Sequence, residues 1–174
     1  MTSQASEDGR ALALAVVFGL LSVPWTFGFE LVPGLPLWPA FVASASVFAA
    51  GGGADGFARS LTNNALGAGY AAATLLVVAW AGAGIGGLSL AVGAFMFLAS
   101  LHALVDALSF TPAVFLGYAS LFGVDAGIYG LVWAGLAGTL TAALAAMAIG
   151  AGLGWLAETL ADRLAALTTP GRRT

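Results

Sequence analysis

His102 and Asp106 are the two residues of this chain best placed to do chemistry together. They stand four positions apart, so on a continuous helix their side chains would leave one face. Histidine is also the side chain whose charge changes near neutral pH. Asn63 and Asn64 open one apolar stretch, and Ser109 and Thr111 open another on the same side. This is the densest polar cluster at the edge of the apolar stretches, and it would line the vestibule of a pathway. The plainer use of the same residues is to hold structure: Asp106 capping the next helix, His102 among lipid headgroups. No catalytic constellation emerges beside it. One His and no Cys cannot build an ordinary zinc site without several carboxylates, and the carboxylates are scattered. The Gly51–Gly53 run lacks the Gly-Lys-Ser/Thr ending of a phosphate loop, and no Ser-His-Asp order is convincing. The expectation is a non-enzyme, with no metal and no cofactor.

What must position this cluster is apolar nearly throughout. Of 174 residues, 60% are hydrophobic and 7% charged, with a mean hydropathy of +1.00, where a soluble domain has about 25% charged residues. Such a chain cannot clothe a water-facing surface. Five Arg and no Lys leave no basic stripe for nucleic acid. A bilayer-spanning helix takes about 20 residues, and six apolar runs are present: Ala11–Phe29, about Leu35–Gly53, Ala65–Ala83, Ile85–Val105, Ala107–Gly123 and Ile128–Leu156. Turn signals separate them at Pro33-Gly34, Gly51-Gly52-Gly53, Gly82 to Gly87 and Asp125 to Gly127, with only a weak break at Val105–Asp106. The fifth run, which holds Pro112, either crosses or enters and leaves on one side. The fold class expected is an all-α integral membrane protein with six transmembrane helices. Residues 1–10 form a polar cytoplasmic N-terminus, 11–156 the membrane domain, and 157–174 a cytoplasmic amphipathic end with a loose tail. Glu7 and Asp8 beside Arg10 are unlike a signal peptide's basic start, so the first run is retained as a helix.

Arginine placement orients the six spans. Arg10, Arg59, Arg163, Arg172 and Arg173 all fall on one side, and the other side carries Glu30 and Asp125 as a solvated rim. Positive residues mark the cytoplasmic face, which puts both termini inside the cell membrane. Trp25, Trp38, Trp80 and Trp133 fall near the outer boundary and Trp155 near the inner one, as an aromatic belt would place them.

The second and fifth runs open alike. Leu35-Pro36-Leu37-Trp38-Pro39-Ala40 matches Leu108-Ser109-Phe110-Thr111-Pro112-Ala113, and Ala45-Ser46-Val47-Phe48 answers Ala119-Ser120-Leu121-Phe122 with one residue inserted. Three spans separate the copies, so they cross in opposite directions and define a 3+3 inverted repeat, an arrangement common where a solute pathway works from both faces. Each proline either frees a backbone carbonyl that a water-lined cavity would satisfy or occupies the first turn of its helix, where no bond is lost. In the first case Ser44 and Ser46 on one helix, and Ser109, Thr111 and Ser120 on the other, flank the two mouths. Glycine pairs at Gly82-x-x-x-Gly86 and Gly150-x-x-x-Gly154, with Ala134-x-x-x-Gly138, allow close helix approach within the bundle or in a homo-oligomer.

The Trp-containing first helix, Trp38-Pro39-Ala40-Phe41, the Gly-rich turn with one basic residue, and Leu108-Ser109-Phe110-Thr111-Pro112 together resemble the YcdZ-like inner-membrane proteins. The resemblance covers roughly Leu12 to Leu156. It implies a multi-span fold and an inner-membrane address, and lends no activity. Spans almost free of charge favour a channel or facilitator for a small neutral or weakly polar solute. A secondary transporter or its membrane subunit is the alternative, with Thr74, Ser89, Thr139 and Thr141 as polar candidates. A structural or regulatory membrane protein is the third. The lipid bilayer is the one partner the composition demands.

Overall fold

The computed structural model describes residues 2–129 and 135–168. Among the described residues there are helices and no strands: α1 (Thr2–Glu30), α2 (Trp38–Ala49), α3 (Gly53–Trp80), α4 (Ile85–Leu101), α5 (Thr111–Tyr129) and α6 (Leu136–Thr168). Four stretches are long and apolar enough to cross a membrane: Glu7–Glu30, Gly53–Trp80, Ile85–Leu104 and Leu136–Leu167. The second helix is not. Its 12 residues reach about 18 Å at 1.5 Å per residue, against a hydrocarbon core of about 30 Å. Residues 31–37 lead into it through successive tight turns, with Gly34 at φ +81°.

The expected boundaries shift where polar residues find partners inside. Helix α3 begins at Gly53 rather than Ala65, because Ser60 and Asn64 are buried against α2 instead of marking an interface. Helix α4 stops at Leu101, and two 3-10 turns follow, at His102–Leu104 and Asp106–Leu108. Val105 between them is extended, at φ −119° and ψ 113°, so His102 and Asp106 do not share a helix face. Helix α5 continues through Asp125 to Tyr129. Asp125 is therefore no part of a solvated rim: it lies inside a helix with none of its surface exposed. Glu30 is exposed at the end of α1. Helix α6 absorbs the expected amphipathic end without a break. Trp133 and Ala134, and the tail from residue 169, lie outside the described residues. Both Pro39 and Pro112 sit in the first turn of their helices, where the missing N–H costs no intrahelical bond.

Two parallel helix pairs, α3 with α5 and α2 with α6, carry the most extensive packing, and α3 also meets α6. Glycine permits it. A methyl group at Gly150 would overlap the Ala40 carbonyl, and one at Gly154 would lie 3.2 Å from the Ser44 Cα. At the other pair, a methyl at Gly67 would overlap the Val114 carbonyl and one at Gly117 the Asn64 carbonyl. Such backbone approach is the packing expected of helices in lipid, which supplies no hydrophobic drive between them. Gly82 and Gly86, by contrast, face open space. Trp25 does not join an aromatic belt. It is buried against Phe18, Phe29 and Phe41, with ring centroids 6.0, 6.2 and 4.5 Å away. Trp80, at the end of α3, is 91% exposed.

Candidate functional site: a polar seam in an apolar bundle

Helix α3 carries Ser60, Asn63, Asn64, Tyr70 and Thr74 at three-, four- and seven-residue spacings, which gathers them on its inward side. Ser60, Asn63, Asn64 and Thr74 are at most 1% exposed. Against α2, the Asn64 Nδ2 donates to Ser46 Oγ at 3.0 Å and to the Ser60 carbonyl at 2.9 Å. Ser60 Oγ lies 3.1 Å from the same amide and 3.4 Å from the Ala43 carbonyl. Ser44 Oγ bonds across to α6, 2.6 Å from the Gly150 carbonyl, and back to Ala40 at 3.0 Å. The Asn63 Nδ2 donates to the Arg59 carbonyl at 2.8 Å.

Further along α3, Thr74 Oγ1 donates to the Tyr70 carbonyl at 2.9 Å. Its proton is thereby used, which leaves the Tyr118 hydroxyl, 2.8 Å away on α5, as the donor of their shared bond. The Tyr70 hydroxyl and His102 Nε2 are 2.7 Å apart, with their rings 5.4 Å apart. The seam is not fully satisfied. Asn63 Oδ1, Asn64 Oδ1, Ser120 Oγ, His102 Nδ1 and both oxygens of Asp125 are buried without a hydrogen-bond partner. Buried polar atoms in native proteins are nearly always paired, so each orphan points to water, a ligand or a functional role.

At one end of the seam, the turn between α2 and α3 is closed by a residue from α6. Gly51, Gly52 and Gly53 all take positive φ, at 101°, 71° and 64°, conformations that cost glycine little. The Glu158 carboxylate occupies the space above Gly52 and accepts the Gly53 N–H at 2.8 Å. The start of a helix favours negative charge. Close by in sequence, Asp162 pairs with Arg10 of α1 at 2.6 Å. Arg59 lies 5.6 Å above the Phe110 ring.

Of the residues singled out by sequence, Ser44, Ser46, Asn63, Asn64 and Ser120 all lie in the buried core. His102, half-buried, joins the seam through Tyr70. Asp106 and Ser109 stay on the connection from α4 to α5, and Thr111 is the first residue of α5. Asp106 is exposed and caps no helix, and its carbonyl receives the Ser109 hydroxyl at 2.8 Å. Thr139 is buried on its own helix carbonyl, while Ser89 and Thr141 are exposed. Sequence reasoning missed Tyr70, Tyr118, Glu158 and the burial of Asp125. The seven-residue step from Asn63 to Tyr70, and from Tyr118 to Asp125, was the available signal. Among the described residues no three of His, Cys, Asp and Glu come together as a metal site. A shallow apolar groove of about 530 Å³ separates residues 32–35 from Ala137, Gly138 and Thr141 of α6.

A helical bundle with four helices long and apolar enough to cross a membrane has the makeup of an integral membrane protein. The chain belongs to the family described as protein of unknown function (DUF1097), which matches residues 15–162. No curated protein and no solved structure matches it.

Proposed function

We propose that the chain is an inner-membrane channel or facilitator for a small neutral or weakly polar solute, built as a 3+3 inverted repeat with both termini in the cytoplasm. The observation that carries this reading is a pair of equivalent backbone crossings. Phe41-Val42-Ala43-Ser44-Ala45-Ser46-Val47-Phe48 aligns without a gap on Phe115-Leu116-Gly117-Tyr118-Ala119-Ser120-Leu121-Phe122. Likewise Ala65-Leu66-Gly67-Ala68-Gly69 aligns on Ala148-Ile149-Gly150-Ala151-Gly152. In that register Ala40 and Val114 correspond, and so do Gly67 and Gly150. Gly67 lies against Val114, and Gly150 lies against Ala40. Exchanging the halves thus exchanges the contacts, as a twofold axis in the membrane plane would require. The Arg10–Asp162 pair, which brings the start of α1 to the end of α6, supports placing both termini on one side. The resemblance to YcdZ-like proteins supports the inner-membrane address.

The repeat also explains an orphan. Met147 stands where Asn64 stands in the first half, so Ser120 lacks the amide that its counterpart Ser46 accepts from. The polar lining is concentrated in one half of the bundle, and its free atoms at Asn63 and Asn64 are acceptors. A solute passing there is recognised by offering N–H or O–H donors, as small amides and alcohols do. No bond-breaking chemistry is invoked, so the protein is not an enzyme in this reading.

The test is a shrink–swell assay on proteoliposomes with a panel of small amides and polyols. Wild-type vesicles are expected to re-swell faster than empty ones for at least one solute. Ser46→Leu and Ser120→Leu should slow that flux while elution size is unchanged. No acceleration for any solute, or unaltered flux in both variants, overturns the reading.

A further inference from the structure

Asp125 is a buried carboxylate on α5, and the pathway reading makes no use of it. It sits on α5 two turns beyond Tyr118, on the same helical side, with none of its surface exposed and neither oxygen hydrogen-bonded. An ionised carboxylate in that position has given up its hydration and received nothing in return, which is among the costliest arrangements a protein interior can hold. Ionisable groups inside membrane helices are rare and mark function when present.

A basic neighbour would resolve the cost, and none is in place among the described residues. The elements packed on α5 are α2, α3, α4 and α6. Helix α2 holds no titratable group, and α6 holds none from Leu136 to Ala157. Its Glu158, Asp162 and Arg163 lie at the Gly53 end. Helix α3 offers Tyr70, bonded to His102 just past α4, together with Asp55 and Arg59. Arg59 lies over Phe110, before the opposite end of α5 from Asp125. On α5 itself Tyr118 is committed to Thr74. A hard metal cation needs several oxygen ligands, and Asp125 belongs to no cluster of three acidic, His or Cys side chains among the described residues. The proton is the one cation this site can take without a ligand shell.

We propose that Asp125 is a proton-binding site: its carboxyl holds a proton while α5 is packed, and releases it only when the far end of α5 parts from its neighbours and water enters. The local packing suits such an opening. On the other side of the helix, two residues either way from Asp125, a methyl at Gly127 would meet nothing within 4 Å and one at Gly123 would meet the Trp38 ring. Trp38 itself is 40% exposed, so the ring against that side of α5 is only partly covered.

The proposal is independent of solute flux, and so is its test. The full chain in detergent micelles is treated near neutral pH with dicyclohexylcarbodiimide, which adds to protonated carboxyls in apolar surroundings, and the adduct is mapped by peptide mass spectrometry. Asp125 is expected to be the main site, with labelling that falls as pH is raised. Glu158, held by the Gly53 N–H, should react far less. Infrared spectra of the wild type near neutral pH should show a neutral-carboxyl C=O band that Asp125→Asn loses, while the variant keeps its helix content and elution size. If the reagent cannot reach the site, the band alone decides. Absence of both adduct and band, or an adduct only elsewhere, overturns the proposal.

Discussion

The glycine crossings allow a quantitative test of what holds this bundle together. At Gly67, Gly117 and Gly150 an added methyl meets main-chain carbonyls of the facing helix, which cannot rotate away as a side-chain tip could. At Gly69 and Gly152, neighbours on the same helices, an added methyl meets nothing within 4 Å. Replacing any of the five by Ala gains helix propensity of about 0.5–1 kcal/mol. That gain is common to both groups and cancels between them. What remains is the cost of forcing the helices apart, about 1–3 kcal/mol for overpacking a tight contact. Gly69→Ala and Gly152→Ala should therefore unfold at slightly higher SDS in mixed micelles, followed by helical circular dichroism. Gly67→Ala, Gly117→Ala and Gly150→Ala should unfold earlier, separated from the first group by about 1–3 kcal/mol. Gly154→Ala, 3.2 Å from Ser44, should fall between. If Gly67→Ala and Gly150→Ala share the midpoint of Gly69→Ala and Gly152→Ala, close backbone packing is not the source of cohesion.

The Glu158 seat gives a second expectation: Glu158→Ala removes a charge-assisted bond and should cost about 1.5–3 kcal/mol, with amide exchange at Gly53 accelerated relative to the wild type. Exchange at Gly53 that does not change would show that the carboxylate is incidental there. Topology is the third. The chain has no native Cys, and Pro33 and Asp106 are both exposed. Single cysteines at these positions should react with an impermeant thiol reagent from opposite faces of the membrane, and reaction from the same face would refute the inverted repeat.

The helical class is legible in composition alone, because a chain with so few charges has few other ways to satisfy its backbone in lipid. Gly150-x-x-x-Gly154 is legible for the same kind of reason: small residues one turn apart mean close approach, and the contact with Ala40 and Ser44 is there. The start of α3 is not. Asp55, Arg59, Ser60, Asn63 and Asn64 look like an interface to any local reading, and burial of Ser60 and Asn64 draws on a hydroxyl and a carbonyl brought by α2 as well as on bonds within α3. The same holds for Asp125. Asp-Ala-Gly has the local chemistry of a turn, yet packing of α5 against α2 and α3 carries the helix through it. The break after Leu101 is hidden for the opposite reason, since His102 to Leu108 contains neither Gly nor Pro to announce it.

The hold of Glu158 on the α2–α3 turn has a consequence for how the chain is made. A ribosome delivers Gly51 to Gly53 long before residue 158, so the tightest turn of the first half waits, uncapped, for the last helix to arrive. Helix α2 waits with it, because its broadest packing partner is also α6. Through much of synthesis the membrane therefore holds a short helix and a left-handed glycine turn without the neighbours that fix them. The last helix is a keystone: the halves already meet through α3 and α5, and its arrival completes the first half. A nascent chain halted before Ala157 should remain open to proteases at the glycine turn, and one extended past Arg163 should close it.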